Sequence, residues 1–286
     1  MQEEIKELNP LGYKPIGKLL KSLAIPAIIA NLVNALYNVV DQIFIGQGIG
    51  YLGNAATNIA FPITTMCLAI GLTLGIGGAS NFNLELGKGY PEKSKHTAGT
   101  AASTLIIIGI ILCISVRIFL EPLMISFGAT DKILEYSIEY TGITSYGIPF
   151  LLFSIGVNPL VRADGNAKYS MIAIVIGAIL NTILDPLFMF VYNWGIAGAA
   201  WATVISQIVS ATLLLIYFPR FKSVKFSLND FIPQLHYLKR IISLGFASFI
   251  YQFSNMIVLV TTNNLLKIYG KNSIYGSDIP IAVFGI

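Results

Sequence analysis

Seven blocks of this sequence are each long and apolar enough to cross a bilayer. They fall at about 19–45, 54–80, 97–119, 134–158, 168–191, 196–218 and 238–266, and IPIAVFGI at 279–286 opens an eighth. A helical span needs roughly 20 mostly apolar residues to cover about 30 Å of hydrocarbon, and every backbone amide within it must be satisfied internally. That requirement leaves one architecture, an all-α polytopic transmembrane bundle. Composition agrees, because only 11% of the 286 residues are charged, against about 25% in soluble domains. The first block is not a cleaved leader, since it runs for more than 25 residues and contains Asp41.

The net charge of +4 forms no basic stripe and accompanies no nucleic-acid motif, so no nucleic-acid partner is expected. Its distribution reads as membrane topology. With the N-terminus inside, 14 of the 18 basic residues fall in inner segments, including Lys6, Lys14, Lys18 and Lys21 before the first span. Arg117, Lys132, Lys267 and Lys271 are the 4 outside. This bias predicts a cytoplasmic N-terminus and cytoplasmic loops at 88–95, 162–168 and 220–240. Cys67 and Cys113 lie in apolar blocks, where a thiol behaves as a small hydrophobe, and predict neither a disulfide nor a metal site. His96 and His236 fall in polar connectors without neighbouring ligands and are expected to be solvated.

The connector Phe218–Tyr237, with Pro219 and Pro233, is the longest polar break and divides the chain. Residues 1–218 form a six-helix N-terminal lobe, 219–237 a cytoplasmic inter-lobe loop, and 238–286 the start of a second lobe. The second segment repeats the first at an offset of 221, Ser22, Leu23, Ile29 and Asn34 matching Ser243, Leu244, Ile250 and Asn255. Six intervening spans return the chain to the same side, which predicts parallel repeats about the membrane normal, a plan that recurs in transporters. A second lobe of equal size calls for roughly four to five further spans beyond residue 286.

Asp41 and Asp185 are the acids that lie well inside spans. A charge at mid-bilayer costs at least ~2.5–3.5 kcal/mol. Glu85, Glu135 and Glu139 lie near span ends, where water is within reach. At about 1.5 Å per residue, Asp41 lies roughly 8 Å below the outer end of its helix, and Asp185 and Thr203 roughly 12 Å. Three side chains from three helices thus share one level in the outer half. Asn181 is one turn before Asp185, and Asn31, Asn34, Asn38 and Asp41 recur at helical spacing, so both helices carry a polar face for protein or water rather than lipid. Pro186 removes a backbone donor beside Asp185 and disturbs the turn around Thr182, as Pro26 and Pro62 do elsewhere. The pattern reads as an ion or proton site rather than interhelical glue alone.

At these residues the chain resembles the multidrug and toxic compound extrusion (MATE) family, in particular its MepA-like bacterial branch. The resemblance rests on LYNVVDQIFIGQGIGYLGNAATNIAFPI, on GLTLGIGGASNFNLELGKGYPEKSKHTAGTA, and on PLVRADGNAKYSMIAIVIGAILNTILDPLFMFVYNWGIAGAAWATVISQ. It implies a twelve-helix antiporter of two lobes in the cell membrane, monomeric at full length. Such a protein exports cationic lipophilic compounds in exchange for Na⁺ or H⁺, and has no cofactor and no enzymatic activity. By resemblance, Asp41, Asn181, Asp185 and Thr203 form the cation-coupling site, and any bound Na⁺ sits there. Tyr37, Asn34, Asn158 and Gln207 are expected to line the substrate cavity. The chain departs from branches with a glutamate on the seventh helix, since 231–277 contains no acid and Gln252 and Phe253 lie near the expected place.

Two rival readings fit the same residues less well. A lipid-linked oligosaccharide flippase of the same superfamily would line its cavity with basic residues, whereas here they sit in loops. An intramembrane aspartyl protease would carry a GxGD context, which NVVD and TILD lack, and no HExxH, GxSxG or P-loop is present. An inactive truncated fragment is the remaining alternative.

Overall fold

The computed structural model describes residues 15–285, so Lys6, Lys14 and Ile286 lie outside the described residues. The elements are helices: α1 Ile16–Gly48, α2 Tyr51–Gly87, α3 Pro91–Ile118, α4 Leu120–Ser126, α5 Asp131–Thr144, α6 Ile148–Ala163, α7 Ala167–Pro186, α8 Gly195–Tyr217, α9 Leu235–Gly270 and α10 Asp278–Phe284. Among the described residues, seven helical stretches are long and apolar enough to span a bilayer. They match the seven apolar blocks, and each runs a few residues past its block at one or both ends. Those extensions arise because a helix continues into the polar headgroup region after its apolar stretch has ended.

The fourth span is α5 and α6 joined by a 3₁₀ turn at Ser145–Gly147. Pro149 supplies no amide for the preceding turn, and the residue before a proline avoids the helical region. The fifth span widens into a π turn at Leu187–Val191 directly after Pro186, with Tyr192 N–H donating to Leu187 O at 3.0 Å. The disturbance expected at this proline thus falls after it. Thr182, one turn before, bonds through its hydroxyl to Ala178 O at 2.9 Å.

α2 is the most buried span, and α1 and α9 are the least. Packing follows membrane logic, in which small residues let backbones approach and large apolar ones face lipid. On α3, Ala98, Ala101 and Ala102 are buried while Ile106, Ile107, Ile110, Ile111 and Ile114 are exposed. Where α2 meets α6, a Cβ on Gly75 would stand 2.6 Å from Gly156 O, so glycine is required there.

α9 runs antiparallel to α2: Arg240 near its start meets Glu85 near the end of α2, and Asn263 near its end meets Asn58 near the start of α2.

The connector between α8 and α9 is docked onto the ends of α3, α6 and α8. Asp164 is fully buried and accepts hydrogen bonds from Tyr217 Oη at 2.7 Å, Lys222 N at 2.9 Å and Ser223 N at 2.9 Å. Phe218, Phe221, Phe226 and Phe231 pack as one aromatic cluster above it. Asp230 accepts from Ser227 N at 2.7 Å and lies 3.1 Å from His96 Nδ1. His96, expected to be solvated and without neighbours, instead faces this carboxylate and stacks on Tyr237. Glu85 also departs from expectation: it is buried, between Lys88 and Arg240.

Candidate cation and substrate site

The end of α1, the end of α7 and the first half of α8 converge with α5 on one polar cluster. Asp41, Asn181 and Asp185 are all buried there. Asn181 Nδ2 donates to Asp185 Oδ1 and to Thr203 Oγ1, each at 3.3 Å, tying α7 to α8. Asp41 and Asp185 lie close enough for each carboxyl to act on the charge of the other. Gln42 Nε2 lies 3.5 Å from Asp41 Oδ2, and Thr57 Oγ1 on α2 donates to Gln42 Oε1 at 3.1 Å. The π turn after Asp185 is a local departure of the kind found at functional sites.

Asp41 Oδ1, Asp185 Oδ2 and Asn181 Oδ1 are each buried without a hydrogen-bond donor. An orphaned buried acceptor is costly, and two carboxylates in apolar surroundings repel unless a proton or cation lies between them. The donor set is hard oxygen throughout: two carboxylates, an amide and a hydroxyl. Such a set suits a hard cation or a proton and not a soft metal. Among the described residues no group of three or more His, Cys, Asp or Glu forms a metal site.

The residues expected to line a cavity divide. Tyr37 stands beside both carboxylates. Gln207 lies one turn beyond Thr203 against Gly147, with its Oε1 buried and unpartnered. Asn34 is exposed on α1, its carbonyl accepting from Asn38 Nδ2 at 2.8 Å. Asn158 is remote from the cluster and commits its side chain to a clasp between α6 and α7. Its Nδ2 donates to Ser170 O at 3.2 Å and its Oδ1 accepts from Ser170 Oγ at 2.7 Å.

Sequence reading missed Tyr140 and Gln42. Tyr140 on α5 stands near Asp41, Asp185 and Thr203. A tyrosine near a span end normally reads as part of the interfacial aromatic belt. The available signal was Tyr136, Ser137, Tyr140, Thr141 and Thr144, which give the first half of this span a polar face.

A helical bundle whose described residues hold seven apolar spans and a pair of buried carboxylates is a polytopic membrane protein. A MatE family profile matches residues 26–187, and the chain belongs to the MatE family. It is 25% identical over 276 residues to the multidrug export protein MepA of Staphylococcus haemolyticus (strain JCSC1435), covering 94% of this chain and 60% of that protein. Against MepA of Staphylococcus aureus (strain NCTC 8325) the figures are 25%, 98% and 62%. The solved structure of the MATE multidrug transporter DinF-BH superposes with a TM-score of 0.87 at 36% identity, covering 94% of this chain and 59% of that one. The chain thus spans about three fifths of the length of these relatives.

Proposed function

We propose that the protein is a multidrug efflux antiporter that exports cationic lipophilic compounds in exchange for Na⁺ or H⁺. One observation carries the reading: three buried acceptor oxygens of this cluster, on Asp41, Asp185 and Asn181, are left without a donor. A cation or proton satisfies them. A cationic drug supplies the same positive charge, and Tyr37 and Tyr140 offer ring faces to it. Ion and drug therefore bind in competition, and an ion entering from outside displaces the drug outward. The depth of the cluster, toward the outer ends of α1 and α7, favours release on that side.

Sodium engages the two carboxylates with Asn181 and Thr203, whereas protons need the carboxylates alone. Among the described residues no basic side chain stands at the cluster, which favours a cationic cargo over a pyrophosphate-linked one. The protein resides in the cell membrane with its N-terminus cytoplasmic, and works as a monomer. Efflux of a cationic dye from cells expressing the full-length gene product, under separately imposed Na⁺ and pH gradients, tests the reading. Efflux that responds to either gradient is expected. Efflux indifferent to both overturns ion coupling, and no efflux of any cationic dye overturns the transporter assignment.

A further inference from the structure

The seam between α2 and α9 is closed at both ends and hollow between them. At the outer end the tie is Asn58 Nδ2 donating to Asn263 Oδ1 at 3.2 Å. In the middle lies a cavity of about 310 Å³, with Phe61, Thr65, Gln252 and Asn255 among its walls. The end that carries the basic connectors is built differently. There the helices touch backbone to backbone. A Cβ on Gly77 would collide with Ile241 O, and one on Gly245 would collide with Thr73 O. Two turns beyond Gly77, Glu85 Oε1 stands 3.4 Å from Arg240 Nη1 and 3.3 Å from Lys88 Nζ.

Glu85 is 4% exposed, yet Arg240 keeps 42% of its side chain in solvent. The pair lines a polar cavity of about 80 Å³ with Asn81, Lys93, His236 and Tyr237, and Asn81 Oδ1 is buried there without a donor. Asn81 Nδ2 is meanwhile anchored to Thr97 Oγ1 on α3 at 2.8 Å. A closed carboxylate with one exposed counter-ion is a contact that can be undone. When α9 moves away, Arg240 leaves into water already at its back, water reaches Glu85, and Lys88 on the same helix still neutralises it. A buried pair with both partners sealed would be far costlier to part. At Gly77 and Gly245 the helices meet through backbone, so they can separate there without disrupting interlocked side chains.

We propose that Glu85 and Arg240 are the cytoplasmic latch of the transport cleft. Together with the Gly77–Gly245 crossing they hold the two repeats shut on the loading side and part to admit substrate. The proposal rests on the transporter reading, and its test does not require transport. Spin labels at Leu84→Cys on α2 and Leu244→Cys on α9, both exposed positions, report the seam directly in the full-length gene product in nanodiscs, on a cysteine-free background. Arg240→Gln is expected to lower the ratio of short- to long-distance populations about tenfold, as a loss of about 1.4 kcal/mol would. Arg240→Lys, which keeps the charge, and Lys239→Gln, which alters the neighbouring exposed charge, should leave it near the parent value. Glu85→Gln should open the seam as Arg240→Gln does. An unchanged distribution in Arg240→Gln overturns the latch. Opening in Lys239→Gln as large as in Arg240→Gln overturns it too, because the effect would then be one of general charge. Absence of efflux from the parent protein with the distances behaving as expected overturns the transporter reading and leaves the latch standing.

Discussion

Asn181 on α7 donates its side-chain amide to Thr203 Oγ1 on α8 at 3.3 Å, and the same nitrogen lies 3.3 Å from Asp185 Oδ1. The hydroxyl and the carboxylate therefore fix the amide nitrogen between them and leave Asn181 Oδ1 without a donor. Thr203→Val keeps the shape and removes the oxygen. In a sodium-coupled protein it should weaken Na⁺ dependence about tenfold, near 1.4 kcal/mol. In a proton-coupled one it should alter efflux little, because protons need only the carboxylates. Efflux titrated against Na⁺ at fixed pH makes the measurement, and a Thr203→Val protein with unchanged Na⁺ dependence excludes this hydroxyl as a ligand.

Asp164 supports the connector through three donors while fully buried. Asp164→Ala strands those donors and should cost about 3 kcal/mol, by the worth of hydrogen bonds to charged groups. Tyr217→Phe removes only one bond and should cost about 1.5 kcal/mol. Thermal unfolding in detergent should rank the two in that order. Equal melting temperatures for Asp164→Ala and the parent would show that the connector does not depend on this carboxylate.

The connector should also respond to acid. Burial works against the charged form of Asp230, but the hydrogen bonds from Ser227 and the charges of Lys95 and His96 prevail and hold its carboxyl below the usual carboxylate range. A depressed folded-state pKa means that its contribution is complete at neutral pH and is lost as pH falls through that lowered value. Protection of residues 220–234, taken relative to the intrinsic amide exchange rate at each pH, should therefore be flat from neutrality down to about pH 4 and fall below it. In Asp230→Asn, protection should be lower at neutral pH and show no such fall.

Topology is testable through single cysteines. With the basic connectors inside, Lys93→Cys should resist a membrane-impermeant maleimide added from outside, and Tyr51→Cys, 48% exposed at the start of α2, should react. Position 50 is a poorer probe, because Gly50 adopts φ +85°, which an L residue resists. Strong labelling at 93 with protection at 51 would invert the bundle.

Much of this was readable before any coordinates, for one physical reason: hydrocarbon forbids exceptions. Seven apolar blocks had to be helices, and Asp41 and Asp185 announced themselves by standing where a charge is costly. Tyr140 and Gln42 did not, because an interfacial tyrosine and a glutamine near a helix end are ordinary in membrane proteins. The connector was opaque for another reason. Asp164 meets Tyr217 across 53 residues, and His96 meets Asp230 across a still longer separation, so no local spacing encodes either pair. Glu85 was misread because distance from a span end measures depth and not cover, and its cover comes from α9.

Asp41 decides the main question. It stands beside Asp185 with Oδ1 unpartnered, and Gln42 is a weak neighbour at 3.5 Å. A side chain serving only as interhelical glue would have its acceptors filled, so an amide could replace it at little cost. A reversible cation site requires the reverse: acceptors left open and a charge that comes and goes. Asp41→Asn preserves the shape but can neither bind a proton nor balance a cation. In the full-length gene product it should insert normally and lose coupled efflux. Asp185→Asn should do the same. Because the two carboxyls act as one site, the double variant should lose no more than either single. Efflux per correctly inserted molecule, measured for the parent, both singles and the double, is the deciding quantity. Near-normal efflux by Asp41→Asn would make this aspartate a helix tie, and additive losses would make the two carboxylates separate sites.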